Sequence, residues 1–99
     1  MSLSPHLQSN RTMQVARTGL GPAEVLAAAK SFFASAQSVY VAFVEREGPG
    51  HVVLRGQGGE EVVVAARLHE GATEVTGSSY MFDAQVARFL STLPSTGAP

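Results

Sequence analysis

The chain has 99 residues, 44% of them hydrophobic, with a formal net charge of −1 at pH 7 and no cysteine. This length predicts one domain with a single modest core, and the lack of cysteine excludes disulfides and thiol catalysis. The seven basic residues form no basic run, and no apolar run approaches the ~20 residues of a membrane-spanning helix, so the sequence argues against nucleic-acid and membrane partners and favours a cytoplasmic protein.

The first predicted element is a short strand. Residues 1–10 are polar, contain Pro5 and show no period, so we expect them to be loose. The segment from Arg11 to Thr18 alternates, with Met13 and Val15 on one side. Its polar flanks suit a strand at the edge of a sheet.

A helix is predicted next. The segment GLGP ends the strand, and Pro22 followed by Glu24 in the first turn is a typical helix start. The helix is expected to run to about Ala36, with an apolar stripe that includes Phe32 and Phe33. Because GLGP leads from strand to helix, its backbone N–H groups could also hold an anion.

The middle of the chain, from Val39 to Tyr80, predicts an antiparallel meander. Four segments rich in β-branched residues are joined by glycine- and acid-rich connectors, EGPG, QGG and HEG. The segments are VYVAFVER, HVVLRG, EEVVVAARL and ATEVTGSSY. Both alternating sets of the first segment are apolar, which predicts a strand covered on both faces.

The register of the last hairpin can also be predicted. If Glu70 and Gly71 form a two-residue turn, Arg67 faces Glu74 and places an opposite-charge pair on the polar face. The same register leaves four residues on the core face: Ala66, Leu68, Thr73 and Val75.

A second helix is predicted from about Phe82 to Leu93, where Pro94 ends it. The tail, residues 95–99, is expected to be loose. The resulting order is β-α-β-β-β-β-α in a single domain, residues 11–94. Two amphipathic helices need one large apolar face to cover, so the sequence predicts an α+β two-layer sandwich, with an antiparallel sheet and both helices on one face.

No motif predicts catalysis, and we assign no catalytic residue, metal ligand or cofactor. The three histidines, His6, His51 and His69, show neither HExxH nor any pair at helical spacing. His51 and His69 could share the polar face of the sheet with a carboxylate, which leaves an enzyme as a distant alternative. Exposed polar residues at strand ends are the simpler interpretation.

The strands carry more apolar side chains than one covered face requires. Such a surplus in a small domain indicates a contact surface, unless the sheet curls and covers its own concave side. The residues expected at this contact, with another copy or with another protein, are Tyr40, Val44, Val53 and Val63.

Three segments resemble parts of a known superfamily. RTMQVARTGLGPAEVLAAAKSFF resembles an opening strand–helix unit, and EEVVVAARLHEGATEVTGSSY followed by MFDAQVARFLSTL resembles a last hairpin and closing helix. Together they resemble a shortened helix-grip protein of the START/Bet v 1-like (SRPBCC) superfamily, over Arg11 to Leu93. The resemblance implies an apolar small molecule or lipid between sheet and closing helix. The chain has fewer strands and a shorter final helix, so no catalytic residue is carried over.

Two functions are therefore considered. The first is a non-enzymatic module that binds an apolar small molecule or lipid between sheet and helices. The alternative is a protein-interaction domain with a solid core and no ligand, which forms a homo-oligomer through the outer sheet face. The side chains expected to line a pocket are Phe32, Phe33, Phe43, Leu54, Val64, Phe82, Val86 and Phe89.

Overall fold

The computed structural model describes residues 12–36 and 40–95. Within them the element order is β-α-β-β-β-β-α, which confirms the predicted α+β class. The expectations for residues 1–11 and 96–99 lie outside this part of the chain. The elements are β1 (Thr12–Thr18), α1 (Pro22–Ala34), β2 (Ala42–Gly48), β3 (His51–Gly56), β4 (Glu61–His69), β5 (Ala72–Tyr80) and α2 (Asp83–Thr92).

The five strands form one antiparallel sheet in the order β1-β5-β4-β3-β2. The first strand pairs with the last, from Thr12 opposite Ser79 to Thr18 opposite Thr73. This pairing places β1 at one edge, as its polar flanks predict, and leaves β2 at the other.

The β4–β5 hairpin has the predicted register, with Arg67 opposite Glu74. Glu70 and Gly71 have φ angles of 53° and 81°, the left-handed pair that a tight hairpin turn needs. One expectation is wrong. Leu68 lies on the predicted face but is 71% exposed, near the end of β4, whereas its cross-strand partner Thr73 is buried.

The structure also corrects the prediction for the second strand. It begins at Ala42 rather than Val39, which lies outside the described residues. Phe43 and Val44 are 57% and 41% exposed, so the strand is not covered on both faces. The reason is its place at the edge of the sheet, where a bulge between Val44 and Arg46 further interrupts the pairing.

Both helices cover the same face of the sheet, which we call the inner face; the opposite one is the outer face. α1 packs over β2, β3 and β4, and α2 packs over β5 and β1. The rings of Phe33 and Phe89 are fully buried, with centroids 6.1 Å apart, and Phe32 contacts both at 5.1 and 5.5 Å. The expected shelter of the sheet by these two helices is confirmed. Neither described helix is long and apolar enough to cross a membrane.

The distance between α2 and the sheet depends on a glycine in β5. A Cβ atom at Gly77 would lie 2.6 Å from Cγ1 of Val86, closer than carbon atoms can pack. A Cβ atom at Gly56 would likewise lie 3.2 Å from Cζ of Phe82. The two glycines therefore allow α2 and the residue before it to rest directly on the sheet backbone.

We expect Gly77→Ala to lower the free energy of unfolding by about 1–3 kcal/mol, because the added methyl group overpacks the contact with Val86. Urea unfolding measures this loss. Gly19→Ala is the control, since its Cβ would have its nearest neighbour at 3.7 Å, and it should not destabilise the protein. Equal stability of the two variants would contradict the close contact.

A buried hydroxyl joins the two ends of the fold. The side chain of Thr18 is fully buried; its Oγ1 donates to the carbonyl of Pro94 at 2.6 Å and accepts from the N–H of Leu20 at 3.3 Å. Thr73, opposite Thr18 in the sheet, donates from Oγ1 to the carbonyl of Leu20. The end of β1, the entry to α1 and the exit from α2 are thus held together by side-chain hydrogen bonds.

Thr18→Val keeps the shape of the side chain and removes these bonds. We expect a loss of about 1–3 kcal/mol in the free energy of unfolding, because the partners on Pro94 and Leu20 lose their bond without gaining water. Thr18→Ser keeps the hydroxyl and should cost less. Chemical denaturation measures the free energy of unfolding of both variants. A larger loss for Thr18→Ser than for Thr18→Val would show that the methyl group matters more than the hydroxyl.

Candidate functional surface

Most of the side chains expected to line a pocket fill the core instead. Phe82 is 4% exposed and Phe32 is half-buried against the same cluster. Side chains therefore occupy this space between sheet and helices. The members with no exposed surface are Phe33, Leu54, Val64, Val86 and Phe89.

Phe43 does not belong to this set. It pairs with Arg55 on the outer face, whereas the next residue, Val44, pairs with the core residue Leu54. Since successive residues of a strand point to opposite faces, Phe43 lies across the sheet from the helices. Its assignment to a pocket between sheet and helices is wrong.

The four expected interface residues divide between the two faces. Val53 and Val63 are cross-strand partners on the outer face, where Val53 is buried among its neighbours and Val63 is half-buried. Val44 lies on the inner side of the edge strand. The ring of Tyr40 lies 5.8 Å from that of Phe82, so it borders the core. The expectation of an outer-face position is therefore wrong for Val44 and Tyr40.

The sheet register defines two rows across the middle of the outer face, and all their members except His51 are small or apolar. Met13 and Val15, from the edge strand β1, are the most exposed apolar members, at 68% and 59%. Sequence reasoning placed this pair on one side of β1 but did not assign it to an interface. One row runs Met13–Ser78–Val63–Val53 and the next runs Val15–Thr76–Ala65–His51.

Charged residues flank these rows on both sides. At one end Arg67 and Glu74 form an ion pair at 2.8 Å, and Nη2 of Arg17 donates to the carbonyls of His69 and Glu70 at 2.9 and 3.3 Å. At the other end Nη2 of Arg55 lies between two carboxylates, 2.8 Å from Glu45 and 3.4 Å from Glu61. An apolar centre with a charged border is typical of protein contact surfaces.

A depression lies beside the second row. Its volume is about 260 Å³. It forms where the small cross-strand partners Ala65 and Thr76 adjoin the larger pair Arg67 and Glu74. The remaining lining residues are Gly50 and Ala66. The depression opens on the outer face, away from the helices.

The two described histidines, His51 and His69, do not come together. His51, on β3, lies opposite Ala65 of β4. His69 is four residues further along β4 than Ala65, which is roughly 13 Å at the rise of a β-strand. Nε2 of His69 lies 3.8 Å from the carboxylate of Glu70. Among residues 12–36 and 40–95 no group of three or more acidic or histidine side chains could hold a metal ion.

At the GLGP segment, where the sequence allowed an anion site, a carboxylate of the protein itself takes the place of the anion. The carboxylate of Glu24 accepts a hydrogen bond from the backbone N–H of Gly21 at 2.8 Å. The helix therefore supplies its own negative charge at its N-terminus.

Comparisons with protein-family models, with curated proteins and with solved structures find no match to this chain.

Because the interior is filled, we expect no apolar ligand to bind between sheet and helices. A thermal-shift series with fatty acids and hydrophobic small molecules tests this, since binding at a hundredfold excess over Kd stabilises the folded state by about 2.7 kcal/mol. The melting temperature should stay constant. Native mass spectrometry should give the mass of the polypeptide or of its oligomer with no added ligand mass, and a copurifying ligand would contradict the expectation.

Proposed function

We propose that the chain is a protein-interaction domain that associates with a second copy of itself through the outer face of its sheet. The observation that supports this most strongly is the exposure of Met13, Val15 and Phe43, each more than half accessible on a face to which neither described helix contributes. The inner face has its core and its helices. Association would remove the exposed apolar surface from water.

The charges on the outer face favour a second copy over a partner of one charge sign. Arg67 pairs with Glu74 at one border, and Arg55 pairs with Glu45 and Glu61 at the other. Both borders therefore carry both signs, and the same face turned by a two-fold axis can meet them without net repulsion. Exposed pairs of this kind contribute about 0–1 kcal/mol each, so they orient the contact while the apolar rows supply the affinity.

The size of the face is compatible with a reversible dimer. With strands ~4.8 Å apart and a rise of ~3.3 Å per residue, a five-stranded sheet of this length presents about 600 Å². Two copies would bury about 1,200 Å², the lower end of the range for specific complexes. We therefore expect a dimer that dissociates on dilution.

The depression provides a complementary shape for the contact. Exposed Val15 stands in the same row as Thr76 and Ala65, which line the depression. In an isologous dimer, an apolar side chain of each copy can enter the depression of the other. A projection and a recess on one face are what a self-complementary surface requires.

Two exposed apolar residues on opposite faces give a matched test. Phe43→Glu places a charge on the outer face, opposite Arg55, and Leu68→Glu places the same charge on the inner side of a strand end. Phe43 and Leu68 are 57% and 71% exposed, so both variants should fold. We expect Phe43→Glu to raise the dimer Kd about tenfold or more, equivalent to about 1.4 kcal/mol, and Leu68→Glu to leave it unchanged.

Sedimentation velocity over the micromolar range measures these constants, with circular dichroism as the check on folding. A wild-type protein that stays monomeric throughout would disprove the proposal. Equal weakening by both variants would show that the contact does not use the outer face.

A further inference from the structure

The two edges of the sheet differ in how well they are protected from further strand pairing. β2 carries a bulge between Val44 and Arg46, and the adjacent Glu45 and Glu47 are held by ion pairs to Arg55 and to Lys30 of α1. Bulges and charges are the usual devices that block an edge. β1, in contrast, pairs with β5 over seven residues without a register shift.

The one charged side chain of β1 does not guard its edge. The guanidinium of Arg17 reaches across β5 to the β4–β5 turn, where it bonds to the carbonyls of His69 and Glu70. The charge therefore lies over the sheet, away from the side of β1 that no described strand pairs with. The exposed side chains that remain along the outer face of this strand are Met13 and Val15.

The sequence of β1 is also compatible with antiparallel pairing to itself. Centred on Val15, the segment TMQVART aligns all seven residues with a second copy. Val15 then faces Val15, Thr12 faces Thr18 and Met13 faces Arg17, so no like charges stand opposite each other. A β-branched pair such as Val15 with Val15 stabilises neighbouring strands.

We propose that β1 pairs edge to edge with β1 of a second copy, in the antiparallel register centred on Val15, and joins two sheets into one of ten strands. This contact uses the backbone groups of the strand edge and is separate from the outer-face association. It would pair the main-chain N–H and C=O groups that an edge strand otherwise leaves to water.

The natural lack of cysteine makes a disulfide test direct. In the proposed register the Cα atoms of two Val15 residues lie about 4.5–5.5 Å apart, within the range that a disulfide spans. Two Met13 residues would lie four positions apart along the strands, about 13 Å. Stacked sheet faces are separated by about 10 Å, too far for a disulfide.

The experiment compares the single variants Val15→Cys, Met13→Cys and Ala65→Cys under mild oxidation at equal micromolar concentration. We expect the Val15→Cys dimer to form about tenfold faster than the other two, because only its thiols meet directly across the proposed seam. Met13 is the more exposed residue and controls for random collision. Ala65 lies at the centre of the outer face and controls for stacking of the two faces, which would keep its thiols too far apart to join.

Edge pairing is overturned if the Val15→Cys variant cross-links no faster than the Met13→Cys variant. Pairing of β1 with the N-terminal segment of its own chain would give that result. The outcome is independent of the outer-face association. If Phe43→Glu weakens the dimer and Val15→Cys does not cross-link, the face contact stands and the edge contact fails. If Val15→Cys cross-links fast and Phe43→Glu has no effect on the dimer, the edge contact stands and the face contact fails.

Discussion

The contact between Val86 and the bare backbone at Gly77 determines how closely α2 approaches the sheet. One turn later on the same helix face, Phe89 reaches Phe33 and Phe32 of α1. The position of one helix thus sets the position of the other through three aromatic rings. The interior fills as a consequence of this close approach, because the aromatic side chains occupy the room that a larger separation would leave to a ligand.

The outer face follows from the same arrangement. Both helices lie on the inner face. Apolar residues that alternate with core residues along the strands point to the outer face, so the helices do not bury them. Val53 and Val63 in the centre of the sheet are sheltered by neighbouring strands, whereas Met13, Val15 and Phe43 on the edge strands are not. The apolar surface is therefore greatest where a strand has a neighbour on one side alone.

Local patterns predicted the parts of the fold that local chemistry decides. The β4–β5 register is right because turn residues, alternation and the Arg67–Glu74 pair all favour one alignment. α1 begins at the predicted Pro22, and α2 ends within one residue of the predicted Leu93, because Pro22 marks where a helix can begin and Pro94 where one must stop.

What local patterns could not provide is the pairing of β1 with β5, which joins distant parts of the chain. That pairing leaves β2 at an edge, so Phe43 and Val44, in a segment predicted to be covered on both faces, are largely exposed. The face on which Phe43 lies also depended on pairing with β3, which apolar content does not reveal. Met13 and Val15 could have been recognised, because an edge strand was predicted with both on one side.

The pairing of the first strand with the last has a consequence for folding during synthesis. Thr12 pairs with Ser79, and the hydrogen bond from Thr18 to Pro94 spans 76 positions. As the polypeptide leaves the ribosome, β1 and α1 emerge long before the strand and helix that complete their surroundings. Native structure around β1 must therefore await release of β5, α2 and Pro94, and such long-range topology slows folding.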